Sequence, residues 1–159
     1  IGTAARARLA GRLHPVPEQE TTDFDKALAA IAARFVLALG VLGGRVDHEL
    51  AALSTLVRHR GSPCLALGRE DVVFAAPPAL RLEMRAGDRL SLFPMAAVEG
   101  TSAGLEWPID GIAFAPGGRI GTSNRVLGGR VELRFGRPGM LVILPRARLG
   151  VAMAGLGLI

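Results

Sequence analysis

The sequence predicts an α/β layer followed by an antiparallel β-sandwich, with the division near Gly68–Asp71. Three observations carry that expectation. Residues 1–68 alternate helix-period segments with short apolar runs. After Gly68 the chain breaks into short apolar or alternating runs between glycines and prolines. Hydrophobic residues make up 50% of the 159, enough to bury a core in a chain of 16.6 kDa.

The elements follow in order. Ala4–Leu13 reads as the end of a helix, and His14–Pro17 as a short extended piece. Thr21-Thr22-Asp23 offers an N-cap for a helix over Phe24–Arg34, where Ala27, Leu28, Ile31 and Ala32 recur at helical spacing. Phe35–Leu42 is an apolar run broken only by Gly40, as expected of a buried parallel strand, and Gly43-Gly44 ends it. Asp47–His59 is a second helix with Leu50, Leu53, Leu56 and Val57 on one face. Cys64–Leu67 is another short buried strand. Residues 1–68 thus form an incomplete, Rossmann-like parallel layer, short of the strands and helices that cover both faces of such a sheet.

Residues 69–159 form the second unit. Strands are expected at Val72–Ala75, Leu80–Arg85, Arg89–Pro94, Ala97–Thr101, Gly111–Phe114, Arg130–Phe135 and Met140–Leu144. The tail from Leu149 to Ile159 is apolar and reads as a last strand, a dimer contact or an appended piece.

Composition narrows the function. The chain carries 19 basic and 14 acidic residues, a net charge of +5, with a pI near 11.1. The basic residues are spread evenly, and Lys26 is the sole lysine. No polybasic run is present, tyrosine is absent and aromatics are 4%, so stacking platforms for bases are sparse. These features weigh against nucleic-acid binding. Cys64 is the one cysteine, which excludes an internal disulfide. No apolar stretch reaches bilayer length and no export signal is visible, so a cytoplasmic location is the default expectation.

Ligands of open parallel sheets sit beyond the carboxyl ends of the strands. Two polar clusters fall at such places, Glu18–Asp23 and Gly44–His48. Asp23 has two readings: a helix-capping carboxylate, or a ligand for a hard cation such as Mg²⁺. Glu18, Glu20 and Asp25 are near, but helix geometry does not place all four on one face. Gly43-Gly44-Arg45 is either a tight turn or a phosphate approach, with glycine admitting the anion and Arg45 clamping it with two donors. No Gly-Lys-Ser/Thr follows, so it is not a Walker loop. Asp47 and His48 either cap the next helix or position a substrate. Gly121-Thr122-Ser123-Asn124 is either a polar loop or a hydrogen-bonding reader of a ligand. Trp107, the single tryptophan, reads more readily as a core anchor than as a ligand stack.

In this order the clusters are far more specific than any one alone. Gln19-Glu20-Thr21-Thr22-Asp23-Phe24-Asp25-Lys26-Ala27-Leu28 resembles the metal and nucleotide motif of thiamine pyrophosphokinases. Leu42-Gly43-Gly44-Arg45-Val46-Asp47-His48 is similar to that family's second motif. Ser91-Leu92-Phe93-Pro94, Gly104-Leu105-Glu106-Trp107-Pro108-Ile109 and Gly121-Thr122-Ser123-Asn124 resemble its C-terminal domain, and Gly139-Met140-Leu141-Val142-Ile143-Leu144 its last strand. The resemblance spans about residues 14–145.

The resemblance implies an α/β catalytic domain followed by a β-sandwich that binds thiamine. It implies homodimers with active sites at the subunit interface, and transfer of pyrophosphate from ATP to thiamine to give thiamine diphosphate and AMP. Carried over residue by residue, it implies that Asp23 holds Mg²⁺ and acts with Arg45 and Asp47. Gln19, Thr22, Lys26, Gly44 and His48 would serve the nucleotide side, and Trp107, Thr122, Ser123 and Asn124 would address thiamine. The family's N-terminal segment, with a further Asp-rich loop, does not appear in this sequence, so a chain beginning at Ile1 is expected to show little or no turnover. The alternative is a non-catalytic module that binds thiamine or thiamine diphosphate.

Overall fold

A computed structural model describes residues 2–59 and 61–159. Helix α1 covers Thr3–Leu9, runs into a 3₁₀ turn at Ala10–Arg12, and buries none of its residues. The extended piece expected at His14–Pro17 joins no strand; Pro15 and Pro17 have no N–H to place in a ladder. Helix α2 spans Asp23–Ala30 with Thr22 as its N-cap, whose hydroxyl accepts the Asp25 N–H at 3.2 Å. It stops short of the expected Arg34 because Ile31 turns to extended backbone, with its side chain exposed.

Strand β1 (Val36–Leu39), helix α3 (Val46–Arg58) and strand β2 (Cys64–Leu67) form a parallel unit, paired from Val36↔Cys64 to Leu39↔Leu67. Then follow β3 (Asp71–Ala75), β4 (Ala79–Met84), β5 (Arg89–Pro94), β6 (Gly100–Ala103), β7 (Gly121–Arg125), β8 (Gly129–Phe135), β9 (Met140–Pro145) and helix α4 (Leu149–Gly155). Two sheets result. One has the order β1-β2-β3-β9-β5-β7 and the other β4-β8-β6. Among the described residues β1 and β2 are the one parallel pair of strands; every other pair of strands is antiparallel.

The α/β part and the sandwich are thus joined by more than the chain. Strand β3 turns back on β2 through a tight link in which the Gly68 N–H donates to the Asp71 carbonyl at 2.8 Å. One sheet therefore continues across the expected division at Gly68–Asp71.

Strand periodicity explains the two cores. In β2, Leu65 and Leu67 face one way and Cys64 and Ala66 the other, so all four are buried. The first pair joins the sandwich core with Phe74, Leu92 and Val142 of the same sheet and Leu82, Val131 and Leu133 of the smaller one. The second pair joins Leu28 of α2 and Leu56 of α3. Each buried Leu or Val contributes about 1.5–3 kcal/mol relative to exposure.

Three expectations are corrected by tertiary position. The run Phe35–Leu42 yields an edge strand, not a fully buried one: Ala38 packs under the helices, but Leu39 is 67% exposed. The opposite face at that edge carries no further layer among the described residues. Gly121–Asn124 belongs to strand β7, which the polar run concealed, because only Asn124 of the strand turns inward. The apolar tail is a helix: α4 lies on β4 with Gly155 so close that a Cβ there would come within 2.7 Å of the Arg81 carbonyl oxygen. Smaller differences are that Ala97–Thr101 becomes a strand only from Gly100, with Val98 in an isolated bridge to Phe114, and that Gly111–Phe114 supplies only isolated bridges, from Phe114 to Val98 and to Arg119. No helix among the described residues is long and apolar enough to cross a membrane.

Candidate active site

A cleft of about 680 Å³ opens where the loop before α2 meets the first turn of α3. Gln19, Thr22, Asp23 and Lys26 line one side, and Gly44, Arg45 and His48 the other. Seven of the residues singled out in the sequence are therefore brought to one place. Asp47 is not itself in the lining and reaches the cleft through Arg45.

The loop before α2 is organised by Glu18, which the sequence offered only as one of several carboxylates near Asp23. The Glu18 carboxylate accepts the Glu20 N–H at 2.6 Å, the Thr21 N–H at 3.0 Å and the Thr21 hydroxyl. The Thr21 hydroxyl above all, then the two backbone amides and Lys26, hold its pKa down to about 2 from 4.5. Lys26 folds back over this loop: Nζ donates to the Glu18 carbonyl at 2.6 Å and stands 3.4 Å from its carboxylate. Lys26 is thus neither solvent-facing nor free, and it adds positive charge to the cleft wall.

On the other wall, the Arg45 guanidinium donates twice to Asp47, at 3.1 and 2.6 Å. Arg45, first among the causes, holds the Asp47 carboxyl below the usual carboxylate range. Both side chains are exposed, so the pair is accessible from solvent and contributes little to stability. The N-cap residue Arg45 makes no side-chain capping bond, and the first turn of α3 lies against the cleft, where the helix dipole favours negative charge. Glu49, another residue not singled out beforehand, fixes the turn by accepting the Gly43 N–H at 3.2 Å. Gly43 has φ +82°, a conformation that favours glycine.

The donor set bears on a metal. Among the described residues no three His, Cys, Asp or Glu side chains gather to hold an ion by themselves. Asp23 is an exposed carboxylate beside Lys26 and Arg45. That set fits a magnesium ion that takes one carboxylate and draws its other ligands from phosphate and water. Asp25, two residues on, faces elsewhere: it is buried, and accepts from Arg58 and His59 at the far end of α3.

The second cluster lies on β7 and the segment before it. Asn124 is buried, and both ends of its carboxamide hold the Trp107 backbone. The Trp107 side chain is 52% exposed, with the Arg125 guanidinium 5.8 Å from its ring centroid. The core-anchor expectation is corrected here, because Ile109 takes the buried position nearby. Ser123 has φ +60° and its N–H donates to the buried Ser91 hydroxyl at 2.9 Å; the Thr122 and Ser123 side chains are exposed.

The two clusters stand at opposite edges of one sheet. From β1 to β7 there are five strand steps, or about 24 Å at the usual spacing.

The family model for the thiamin pyrophosphokinase catalytic domain matches residues 6–65, and that for the vitamin B1 binding domain of the same family matches residues 79–139. Thiamine pyrophosphokinase 1 of Oryza sativa subsp. japonica is 30% identical over 125 residues, covering 69% of this chain and 47% of the relative. Thiamine pyrophosphokinase 2 of Arabidopsis thaliana is 31% identical over the same shares. The chain therefore spans about half the length of these curated relatives. A thiamin pyrophosphokinase crystal structure from Geobacillus thermodenitrificans superposes with TM-score 0.70 at 21% identity, covering 91% of this chain and 72% of that one. A structure from Lactobacillus plantarum superposes with TM-score 0.74 at 22% identity, covering 89% and 73%. These structures share the fold, an α/β layer followed by a β-sandwich. With both family models matched in order along the sequence, this chain belongs to the thiamine pyrophosphokinase family.

Proposed function

We propose that the protein transfers the pyrophosphoryl group of ATP to thiamine, with residues 1–68 serving ATP and residues 69–159 serving thiamine. The observation that supports this most is the single cleft that gathers Gln19, Thr22, Asp23, Lys26, Gly44, Arg45 and His48. In the reaction, the hydroxyl oxygen of thiamine bonds to the β-phosphorus of ATP. The bond from that phosphorus to the oxygen bridging to the α-phosphate breaks, AMP leaves with the electron pair, and the hydroxyl proton is released. Such a transfer depends on placement and charge neutralisation. Arg45 would turn from Asp47 to the phosphates, Lys26 adds charge from the opposite wall, and Gly44 lets backbone amides approach. Gln19 and Thr22 hold the loop that presents Asp23, and His48 borders the same space. Asp23 is the residue that would hold Mg²⁺, which when bound supplies charge neutralisation on the polyphosphate.

Trp107, together with Thr122 and Ser123 of β7, would take the thiamine rings; Asn124 would fix the Trp107 backbone for that purpose. The separation of about 24 Å between the clusters favours a homodimer in which one chain's β7 edge meets its partner's cleft. The setting proposed is the cytoplasm. The test is formation of AMP and thiamine diphosphate from ATP, thiamine and Mg²⁺. Thiamine binding with no ATP consumption would replace this reading with the non-catalytic module.

A further inference from the structure

We infer that Asp25 is a positioning residue of the nucleotide cleft, setting the orientation of α2 and hence the place of Asp23 and Lys26. The inference rests on the proposed reading of that cleft. Helix α2 has eight residues and buries only Asp25 and Leu28. Leu28 packs into the apolar cluster beneath the sheet. Phe24 is packed, partly buried, against the same cluster; such apolar contacts are non-directional and let a short helix rock on them, whereas a directional attachment fixes its rotation and tilt. Asp25 provides that attachment. Its carboxylate is 6% exposed and accepts from Arg58, and from Nε2 of His59 at 2.5 Å.

The residues on either side show what the attachment controls. Asp23 and Lys26 line the cleft, whereas Asp25 does not. At about 100° per residue, the helix turns Asp25 toward α3 while its neighbours face the ligand space. Asp25 is buried but the Arg58 side chain is 56% exposed, and such a pair is weak evidence for stability, because an apolar side chain of similar size often serves as well. Its directionality is what an apolar residue would lack.

The test uses inorganic pyrophosphate as the probe, with Asp25→Leu, Asp25→Asn and the native chain. Asp25→Leu keeps the burial and loses the direction; its dissociation constant for pyrophosphate is expected to rise about tenfold. Asp25→Asn still accepts one N–H and is expected to recover affinity to within about threefold of native. KM for thiamine should not move in either variant. Native pyrophosphate affinity in a folded Asp25→Leu protein overturns the inference. Should that variant fail to fold, Arg58→Gln combined with His59→Gln reads the same contact from the α3 side, with the same rise expected and the same null result overturning it. If the native protein binds no pyrophosphate, the reading of the cleft fails. Asp25 is then decided by hydrogen exchange: selectively faster exchange over residues 18–30 in the variants supports positioning, and unchanged exchange there overturns it.

Discussion

Asn124 holds the backbone of Trp107 from both sides: Oδ1 accepts the Trp107 N–H at 3.3 Å, and Nδ2 donates to the Trp107 carbonyl at 2.6 Å. A buried carboxamide thereby fixes an exposed indole, and the same oxygen also accepts the Arg125 N–H at 2.8 Å. Replacing Asn124 with Leu leaves these backbone groups without partners, at about 1–3 kcal/mol. KM for thiamine should rise while KM for ATP stays put. Equal changes in both would show that Asn124 supports the whole fold and not the indole.

Asp23 is exposed and makes no ion pair with another side chain among the described residues. Asp23→Asn should therefore shift the melting free energy by no more than about 0.5 kcal/mol. Turnover should fall by about a hundredfold or more. Full activity in this variant would remove Asp23 from the proposed metal role.

Glu18 gives a pH signature. Its pKa is lowered to about 2 from 4.5, first by the Thr21 hydroxyl. The sign follows from linkage: a carboxyl whose folded value is depressed adds order above its unfolded value and loses it as pH falls toward the folded one. The loop before α2 should stay ordered at pH 5 and above and loosen progressively between about pH 4.5 and pH 2. Carboxyl NMR of Glu18 checks this, and a midpoint near 4.5 would mean that the loop is not held by Glu18. Glu18→Gln should also raise KM for ATP, since the loop loses the carboxylate that holds Thr21 and Lys26 keeps only the Glu18 carbonyl as its partner.

Burial pushes the Cys64 thiol up to about 11. The thiolate is the reactive form, so Cys64 should label with thiol reagents at neutral pH only as the protein unfolds. Rapid stoichiometric labelling of the native protein would contradict its place between the sheet and the helices.

How much was legible in the sequence follows from the range of each signal. The N-cap at Thr22, the period of α3, the alternation in β4 and β8 and the order of the motifs all rest on residues a few positions apart, whose side-chain directions the local backbone sets. Those local relations suffice to bring Gln19–Lys26 and Gly44–His48 into view as two clusters.

The tertiary structure decided what depends on partners far along the chain. Strand β7 is polar, so hydrophobic alternation does not mark it; it is a strand because β5 supplies its hydrogen bonds. Strand β1 has the apolar run of an interior strand, yet its place at the sheet edge exposes Leu39. Asp25 meets Arg58 and His59 across 33 and 34 residues, a pairing that no periodicity encodes. The sequence by itself determined the family motifs and the local elements that carry them, because capping, turns and side-chain periodicity are short-range. Which walls face each other, which strands lie at the edges and which charges pair were decided only when distant segments packed, because burial and ion pairing belong to the neighbours a residue acquires.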